Sequence, residues 1–474
     1  MPWRQLTGGA DTDVETVDRQ LHTADGYRID LFADDVPNAR WLAVTRRGDV
    51  IASQPKRGQV TLLQADSNRD GRADGQRVLI DGLRRPHGLF LHDNWLYIAE
   101  SDGVGRVPFD HSDGRLAGSY QRILEGLGDE GNHWTKTIAM GPDGWVYLSS
   151  GSTCNVCEEE DPRRAAIMRF RPDGSSLEIY ATGLRNSVGF DWSPKNGSLY
   201  ATDNGRDWLG DDFPPCELNL VEKNAFYGWP YANGNRVPDP HFTPEESGAN
   251  ASAEIAQKIA ASRPPVHDFP AHNAPLGITF LRSPAQPAGY RDAALVALHG
   301  SWNRSVKDGY KVVSLHWDER GYIHQRDFLW GFLSDDKSEV HGRPVAIAED
   351  ASGNIYISDD YAGAVYRVSA GVARSAGAAA EGKPRMQAPN KPLVIDSGAA
   401  LRGEELYRRH NCTQCHAAQV PLRSLAKKYN LQTLANYFDT PTPPMPNYGF
   451  SGTQKRALAH YLMSLEVESN SSKH

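Results

Sequence analysis

Near the end of the chain, Cys412, Cys415 and His416 stand in C-x-x-C-H order. Two thiols at that spacing form thioethers to a porphyrin and the following imidazole ligates its iron, which is the attachment signature of haem c. A surface disulfide or half of a zinc site is the alternative the motif leaves. A second axial ligand is expected from Met445, presented by the stiff run Pro443-Pro444-Met445-Pro446, since Met/His ligation raises the potential of a haem. Its rivals are His410, His460 and Met463, of which His410 is too close to the haem cysteines to reach the opposite face of the ring.

Four further clusters could do chemistry. Gly131-Asn132-His133-Trp134 offers an imidazole able to act as a general base near neutral pH. Gly183-Leu184-Arg185-Asn186 pairs a guanidinium with an amide, groups that polarise a carbonyl or hold a carboxylate. Asp203-Asn204-Gly205-Arg206-Asp207, together with Glu217 and Tyr227-Gly228-Trp229-Pro230, supplies carboxylates and turn carbonyls that suit calcium. Trp302-Asn303-Arg304 and Gly342-Arg343-Pro344 bring more cations. Separately, Asp66, Asn68, Asp70 and Asp74 alternate around Gly71 at calcium-loop spacing, but Arg77 stands where a full loop has glutamate. That stretch reads either as a calcium site or as a solvated Asx turn. Cys154 and Cys157 could close a short disulfide in an oxidising compartment.

These clusters need a scaffold, and the sequence repeats one. A polar turn followed by alternating apolar residues recurs at Arg47-Gly48-Asp49, His92-Asp93-Asn94, Pro142-Asp143-Gly144, Lys195-Asn196-Gly197 and Ala351-Ser352-Gly353, with a weaker copy at Arg291-Asp292-Ala293. Six repeats at spacings of about 50 residues predict a mainly β chain whose first domain is a six-bladed β-propeller. Gly26 to Phe32 is expected to close the ring by pairing near Ala364 to Val368. Residues 235–273 are expected to form a loop over one face, with a helix at Ala251 to Ala261. The polar clusters fall beside blade strands, where propeller loops bind ligands. From Gly371 the composition turns to Ala, Gly, Pro and Lys, the mark of a linker. Helices are expected from Gly403 to His410 and from Gln454 to Leu465. The expected domains are therefore 21–370, a linker at 371–396, and a small all-α domain at 397–474.

The totals exclude other classes. Basic residues are scattered over a chain of 474 residues with net charge −8, so no stripe for nucleic acid is present. No run of about 18 apolar residues could span a bilayer.

The order Gly-Leu-Arg-Asn, Asp-Asn-Gly, Glu217-Leu218-Asn219-Leu220 and Tyr-Gly-Trp-Pro resembles the soluble glucose and sorbosone dehydrogenases, six-bladed propellers that use pyrroloquinoline quinone (PQQ) and calcium. The resemblance covers about residues 21 to 368, and the tail from Ser397 resembles a class I cytochrome c whose terminal helices cross at Gly403 and Tyr461. It implies that His133 is the catalytic base and that Arg185 and Asn186 contact the quinone. It also implies that the carbonyls of Gly205 and Arg206 bind calcium beside PQQ, and that Glu217 and the Tyr227 carbonyl hold further calcium. Arg343 matches an arginine that binds a PQQ carboxylate, Arg304 stands near the family's cofactor lysine, and His87 falls where the family has a glutamine near the quinone. Asn132 departs from the family's acidic residue, and Arg206 from its proline. The implied function is a PQQ- and calcium-dependent sugar dehydrogenase with its own haem c, serving a downstream cytochrome or copper protein. Since such cytochromes receive haem outside the cytoplasm, a periplasmic or secreted protein with its signal peptide removed is expected. A propeller lactonase or other hydrolase, or a sugar-binding propeller with an accessory cytochrome, is the alternative.

Overall fold

Each of the six turn signals reverses the chain between the first and second strands of a separate antiparallel sheet. The computed structural model describes residues 13–243, 253–371, 395–410, 412, 431–438, 448 and 450–471. The first two strands of blades 1 to 6 are Leu42–Val44 and Val50–Gln54, Leu89–His92 and Trp95–Glu100, Lys136–Met140 and Val146–Ser150, Phe190–Trp192 and Leu199–Asp203, Pro275–Phe280 and Ala294–Leu298, and Pro344–Glu349 and Ile355–Asp359. Every reversal contains a residue at positive φ: Gly48 (88°), Asp93 (50°), Gly144 (73°), Gly197 (70°), Asp292 (61°) and Gly353 (84°). Glycine takes this conformation without a Cβ clash, and Asp tolerates it better than most residues. The two copies without glycine therefore fold like the others because Asp93 and Asp292 make the turn.

Side chains on a strand point alternately to opposite faces, and in the middle of a blade each face meets another blade. Leu96 and Ile98 pack with Ile51, Val60 and Leu62 of blade 1, whereas Tyr97 and Ala99 pack with Ile138, Leu148 and Met168 of blade 3. Val50–Gln54 and Val146–Ser150 are consequently buried at every position. The ring closes as expected. Tyr27–Ala33 pairs antiparallel with Ala364–Ala370, placing Asp30 opposite Arg367 and Leu31 opposite Tyr366. His22–Thr23 joins the outer edge of blade 5.

One expectation is corrected, and at one stretch left open by the sequence the hydrogen bonds of the oxygens are now visible. The stretch read as a loop over residues 235–273 does carry a helix, Ala253–Ala261, but it also supplies the fourth strand of blade 4, His267–Phe269, paired with Cys216–Val221. Three residues are too few for a period-two signal to stand out. In the loop of Asp66, Asn68, Asp70 and Asp74 the carboxylates do not converge. Asp66 accepts from the N–H groups of Asp70 and Gly71 and from Arg367 Nη1 at 2.9 Å, Asp70 accepts from Asn68 and Arg72, and Asp74 accepts from Ser67. Arg367 also meets Asp30 at 3.3 Å, so the loop fastens blade 1 to the closing blade.

A second compact unit follows the propeller, with helices Ser397–Arg409, Leu431–Tyr437 and Gly452–Ser471. Asp396 caps the first by accepting from Ala399 N at 2.8 Å. Leu406, Tyr407, Leu434, Phe438, Leu458, Leu462 and Met463 form its core. The terminal helices cross at the expected place: a Cβ on Gly403 would lie 2.1 Å from Ala457 O and 2.8 Å from Tyr461 Cβ. Of the rival iron ligands, Met463 is spent on the core and His460 Nδ1 accepts from Asp396 N. Cys412 packs, partly buried, against that core; Cys415, His416 and Met445 lie outside the described residues. Among the described residues no helix is long and apolar enough to cross a membrane.

Candidate active site at the mouth of the propeller

One end of the propeller is built from loops that lead into first strands and loops that leave second strands. His87, His133, Arg185, Asn186 and Arg343 lie on the former, and Gly205, Arg206 and Arg304 on the latter. In blades 4 and 6 a buried carboxylate at the end of the second strand anchors the loop. Asp203 accepts from the backbone N–H of Arg185 at 2.8 Å and of Asn186 at 2.6 Å. Asp359 accepts from the N–H of Arg343 at 2.9 Å. Burial pushes Asp203 up to about 7 and Asp359 up to about 6, against the opposing hydrogen bonds. Sequence reasoning missed this shared device, although its signal is visible in Tyr200-Ala201-Thr202-Asp203 and Tyr356-Ile357-Ser358-Asp359.

Arg185 is 4% exposed. Its guanidinium donates to Asn155 O (3.0 Å), Asn155 Oδ1 (2.9 Å), Asn204 O (3.1 Å) and Gly205 O (3.1 Å), and lies 3.4 Å from Asp207 Oδ2. Next to it, His133 and Asn186 converge over Gly151, where a Cβ would stand 2.5 Å from His133 Cβ and 2.6 Å from Asn186 Oδ1. Only glycine permits that approach.

The hydrogen bonds of His133 settle its tautomer. Nδ1 lies 3.0 Å from Ser152 O and 2.9 Å from Ser152 Oγ, and that hydroxyl donates to Cys154 O at 2.7 Å. A carbonyl can only accept, and the hydroxyl hydrogen is already committed, so Nδ1 carries the ring proton and Nε2 is the acceptor. Burial, and then the Arg185 charge, push His133 down to about 3, which keeps the ring neutral at neutral pH. A neutral imidazole with a free Nε2 lone pair can take a proton from a hydroxyl.

Beside Arg185 is a cavity of about 20 Å³ lined by Asp203, Asn204, Gly205, Arg206, Glu217 and Tyr227, among others. This is room for one water-sized occupant. The structure thus brings together the residues expected to hold calcium. Glu217 accepts from Gly234 N and Asn219 Nδ2, and burial followed by the nearby Asp203 pushes it up to about 8. Asn204 Oδ1 is buried without a hydrogen-bond partner. Gly205 O keeps a second lone pair beyond the one facing Arg185. Oxygen donors, two buried carboxylates and an orphaned amide oxygen fit a calcium ion. Arg206 adds only its backbone here, because its guanidinium pairs with buried Asp239 at 2.7 Å.

Arg343 donates to His299 O and Gly300 O. Beside it, the partly buried His299 has Nε2 2.9 Å from Asp360, which Arg40 contacts at 2.8 Å; sequence reasoning did not single out these three residues. With Arg185 and Arg343 as cations, and with the Ser187 hydroxyl buried without a partner, the mouth has donors that fit a polycarboxylate quinone such as PQQ. Two expected contacts are not met. Arg304 is committed to the neighbouring loop, donating to Asp211 O and to Asp212 Oδ1 at 3.0 Å. His87 has no exposed surface and packs against Trp41 and Trp134, so it supports the mouth from beneath.

His87 gives a pH test. Burial holds its pKa well below 6.5 in the folded chain, so the unfolded chain binds a proton below pH 6.5 that the folded one refuses. Stability from neutral His87 is present above that pH and is lost as the pH falls. The stability difference between wild type and His87→Gln is expected to shift against the wild type by up to about 1.4 kcal/mol per pH unit below 6.5. Urea unfolding of both proteins across that range measures it, and a pH-independent difference contradicts it.

The sequence matches the TrAA12-like family over residues 21–371. An uncharacterized protein of Borreliella burgdorferi is 39% identical over 368 residues, spanning 75% of this chain and 92% of its own. The PQQ-dependent pyranose dehydrogenase of Coprinopsis cinerea is 24% identical over 406 residues, spanning 73% of this chain and 54% of that protein, so this chain matches about half of its length. The family AA12 carbohydrate-active enzyme of Trichoderma reesei has a similar fold, with a TM-score of 0.63 at 20% identity over 74% of this chain and 98% of that one. The holo PQQ domain of the Coprinopsis cinerea pyranose dehydrogenase has a TM-score of 0.62 at 22% identity over 74% and 97%. The match ends before the C-terminal helical unit, and through its propeller the chain belongs to the TrAA12-like family.

Proposed function

We propose that the chain is a calcium- and PQQ-dependent sugar dehydrogenase that delivers its electrons to a haem c on the same polypeptide. The observation that carries the reading is His133, held neutral with its proton on Nδ1, beside the buried cation of Arg185. When bound, PQQ supplies the two-electron acceptor that takes the hydrogen of the sugar's hydroxyl-bearing carbon. His133 Nε2 removes the hydroxyl proton. Arg185, fixed by the carbonyls of Asn155, Asn204 and Gly205, and Arg343 hold negative charge, and Asn186 supplies an amide beside them. Asp203, Asn204, Glu217 and the carbonyls of Gly205, Arg206 and Tyr227 would hold calcium.

The sugar class is a pyranose, aldose or sorbosone-type substrate. Residues 21–370 are the catalytic propeller, 371–396 a tether, and 397–474 a cytochrome c domain in which Cys412 and Cys415 carry haem and His416 and Met445 ligate it. A tether raises the effective concentration of one redox centre beside the other. The onward acceptor is another cytochrome or a copper protein, and the protein works in the periplasm or outside the cell.

The test is sugar-dependent reduction of an artificial dye by apo-protein supplied with PQQ and calcium, each omitted in turn, over a panel of aldoses. Activity that needs both supports the proposal. Lactone hydrolysis without PQQ would assign the propeller to the hydrolases instead. For the haem, Met445→Ala is expected to lower the potential while covalent haem is retained; a potentiometric titration that returns the wild-type potential removes Met445 from the iron.

A further inference from the structure

Cys154 and Cys157 are joined by a disulfide, which closes Cys154-Asn155-Val156-Cys157 into a ring on the loop that leaves the second strand of blade 3. The Cys154 carbonyl and three polar atoms of Asn155 are turned toward the site. Asn155 O accepts from Arg185 Nε at 3.0 Å and from Trp229 Nε1 at 3.3 Å. Asn155 Oδ1 accepts from Arg185 Nη2 at 2.9 Å and from Asp207 N at 2.8 Å, and Asn155 Nδ2 donates to Asp207 O at 3.1 Å. One residue of blade 3 therefore grips the guanidinium of blade 4 with both its backbone and its side chain. Cys154 O accepts the hydroxyl hydrogen of Ser152, the same hydroxyl that receives the Nδ1 proton of His133. Ser152 N in turn donates to Arg185 O at 2.8 Å.

We propose that this disulfide ring positions the two catalytic groups together, with Asn155 as the positioning residue for Arg185 and the ring's first carbonyl fixing the tautomer of His133 through Ser152. The inference rests on the reading of Arg185 as a cation that faces PQQ. The physical reason lies in the geometry of the loop. A chain segment satisfies five hydrogen bonds to partners on another blade only if its backbone is held in one conformation, and an open loop would lose conformational entropy each time it did so. Ring closure removes most of those alternatives in advance. Both sulfurs are only partly buried, so a small dithiol can reach them. Reduction would transfer two electrons and two protons from the dithiol, break the Sγ–Sγ bond, leave two thiols and convert the reductant to its own cyclic disulfide. The opened loop would release Asn155 from Arg185, which makes the site sensitive to its redox surroundings.

The experiment titrates PQQ, in excess calcium, into apo wild type, Asn155→Ala and the double variant Cys154→Ser/Cys157→Ser, reading binding from tryptophan fluorescence. Wild type should bind. Asn155→Ala should bind roughly 10- to 100-fold more weakly, the size expected for a lost hydrogen bond to a charged group, with its unfolding midpoint nearly unchanged. The double variant should be at least as weak. Treating wild type with dithiothreitol and removing it before PQQ is added should reproduce the loss, reoxidation should restore affinity, and the double variant should be indifferent to both treatments. Since the dithiothreitol arm uses the folded wild type, it decides the matter even if a variant does not fold. Affinities within twofold of wild type in Asn155→Ala and in reduced wild type would overturn the positioning role while leaving the cofactor reading intact. A wild type that binds no PQQ would overturn both.

Discussion

Replacing His133 with alanine is expected to slow cofactor reduction by sugar roughly 10²–10⁴-fold, the usual loss for a general base, while PQQ still binds. The size follows from the site. Nδ1 is fastened to Ser152 and burial holds the ring neutral, so the ring is set up to accept at Nε2. Among the described groups at the mouth, Arg185 and Arg343 are cations with no proton-accepting role, and Asn186 is an amide. Single-turnover kinetics with saturating sugar separate the rate of reduction from binding. A variant that reduces its cofactor at the wild-type rate would take the base assignment away from His133.

Replacing Arg206 with methionine is expected to destabilise the propeller by roughly 3–5 kcal/mol, the cost of leaving a buried charge without its partner. Arg206 Nη1 lies 2.7 Å from Asp239, and the two side chains are 10% and 1% exposed. Asp239 would keep the N–H groups of His241 and Asn233 but lose its only salt-bridging cation among the described residues. Arg206→Met with Asp239→Asn should recover much of the loss, because the carboxylate is then gone as well. Urea unfolding of the two variants measures this, and a loss below about 1 kcal/mol in the single variant would mean that other groups compensate Asp239. The carbonyl of residue 206 is unchanged by the substitution, so calcium affinity should fall far less than stability.

The propeller was legible because its repeat is chemical as well as numerical. A tight reversal needs a positive φ, and Gly48, Asp93, Gly144, Gly197, Asp292 and Gly353 are residues that tolerate one. Closure was legible because both termini carry alternating apolar runs that lack a partner nearby. Strand His267–Phe269 was hidden by its brevity. His133, Arg185 and the residues lining the cavity beside Arg185 could be singled out from motif order, yet the groups that hold them could not. Asn155 meets Arg185 across 30 residues and Asp207 across 52, and both contacts depend on how two blades pack. The commitment of Arg304 to Asp212, across 92 residues, was invisible for the same reason. In the loop at Asp66 the oxygens were visible in the sequence, but their ion pair with Arg367, which arrives with the closing strand 301 residues later, was not.

The most direct measurement is anaerobic mixing of PQQ- and calcium-loaded protein with an aldose, following the absorbance of the cofactor and of haem in the same trace. The account predicts that the cofactor band is reduced first and the haem bands follow, that both changes vanish when PQQ or calcium is withheld, and that His133→Ala delays the first step. A cofactor that stays oxidised with every sugar tested, while remaining bound, would contradict it.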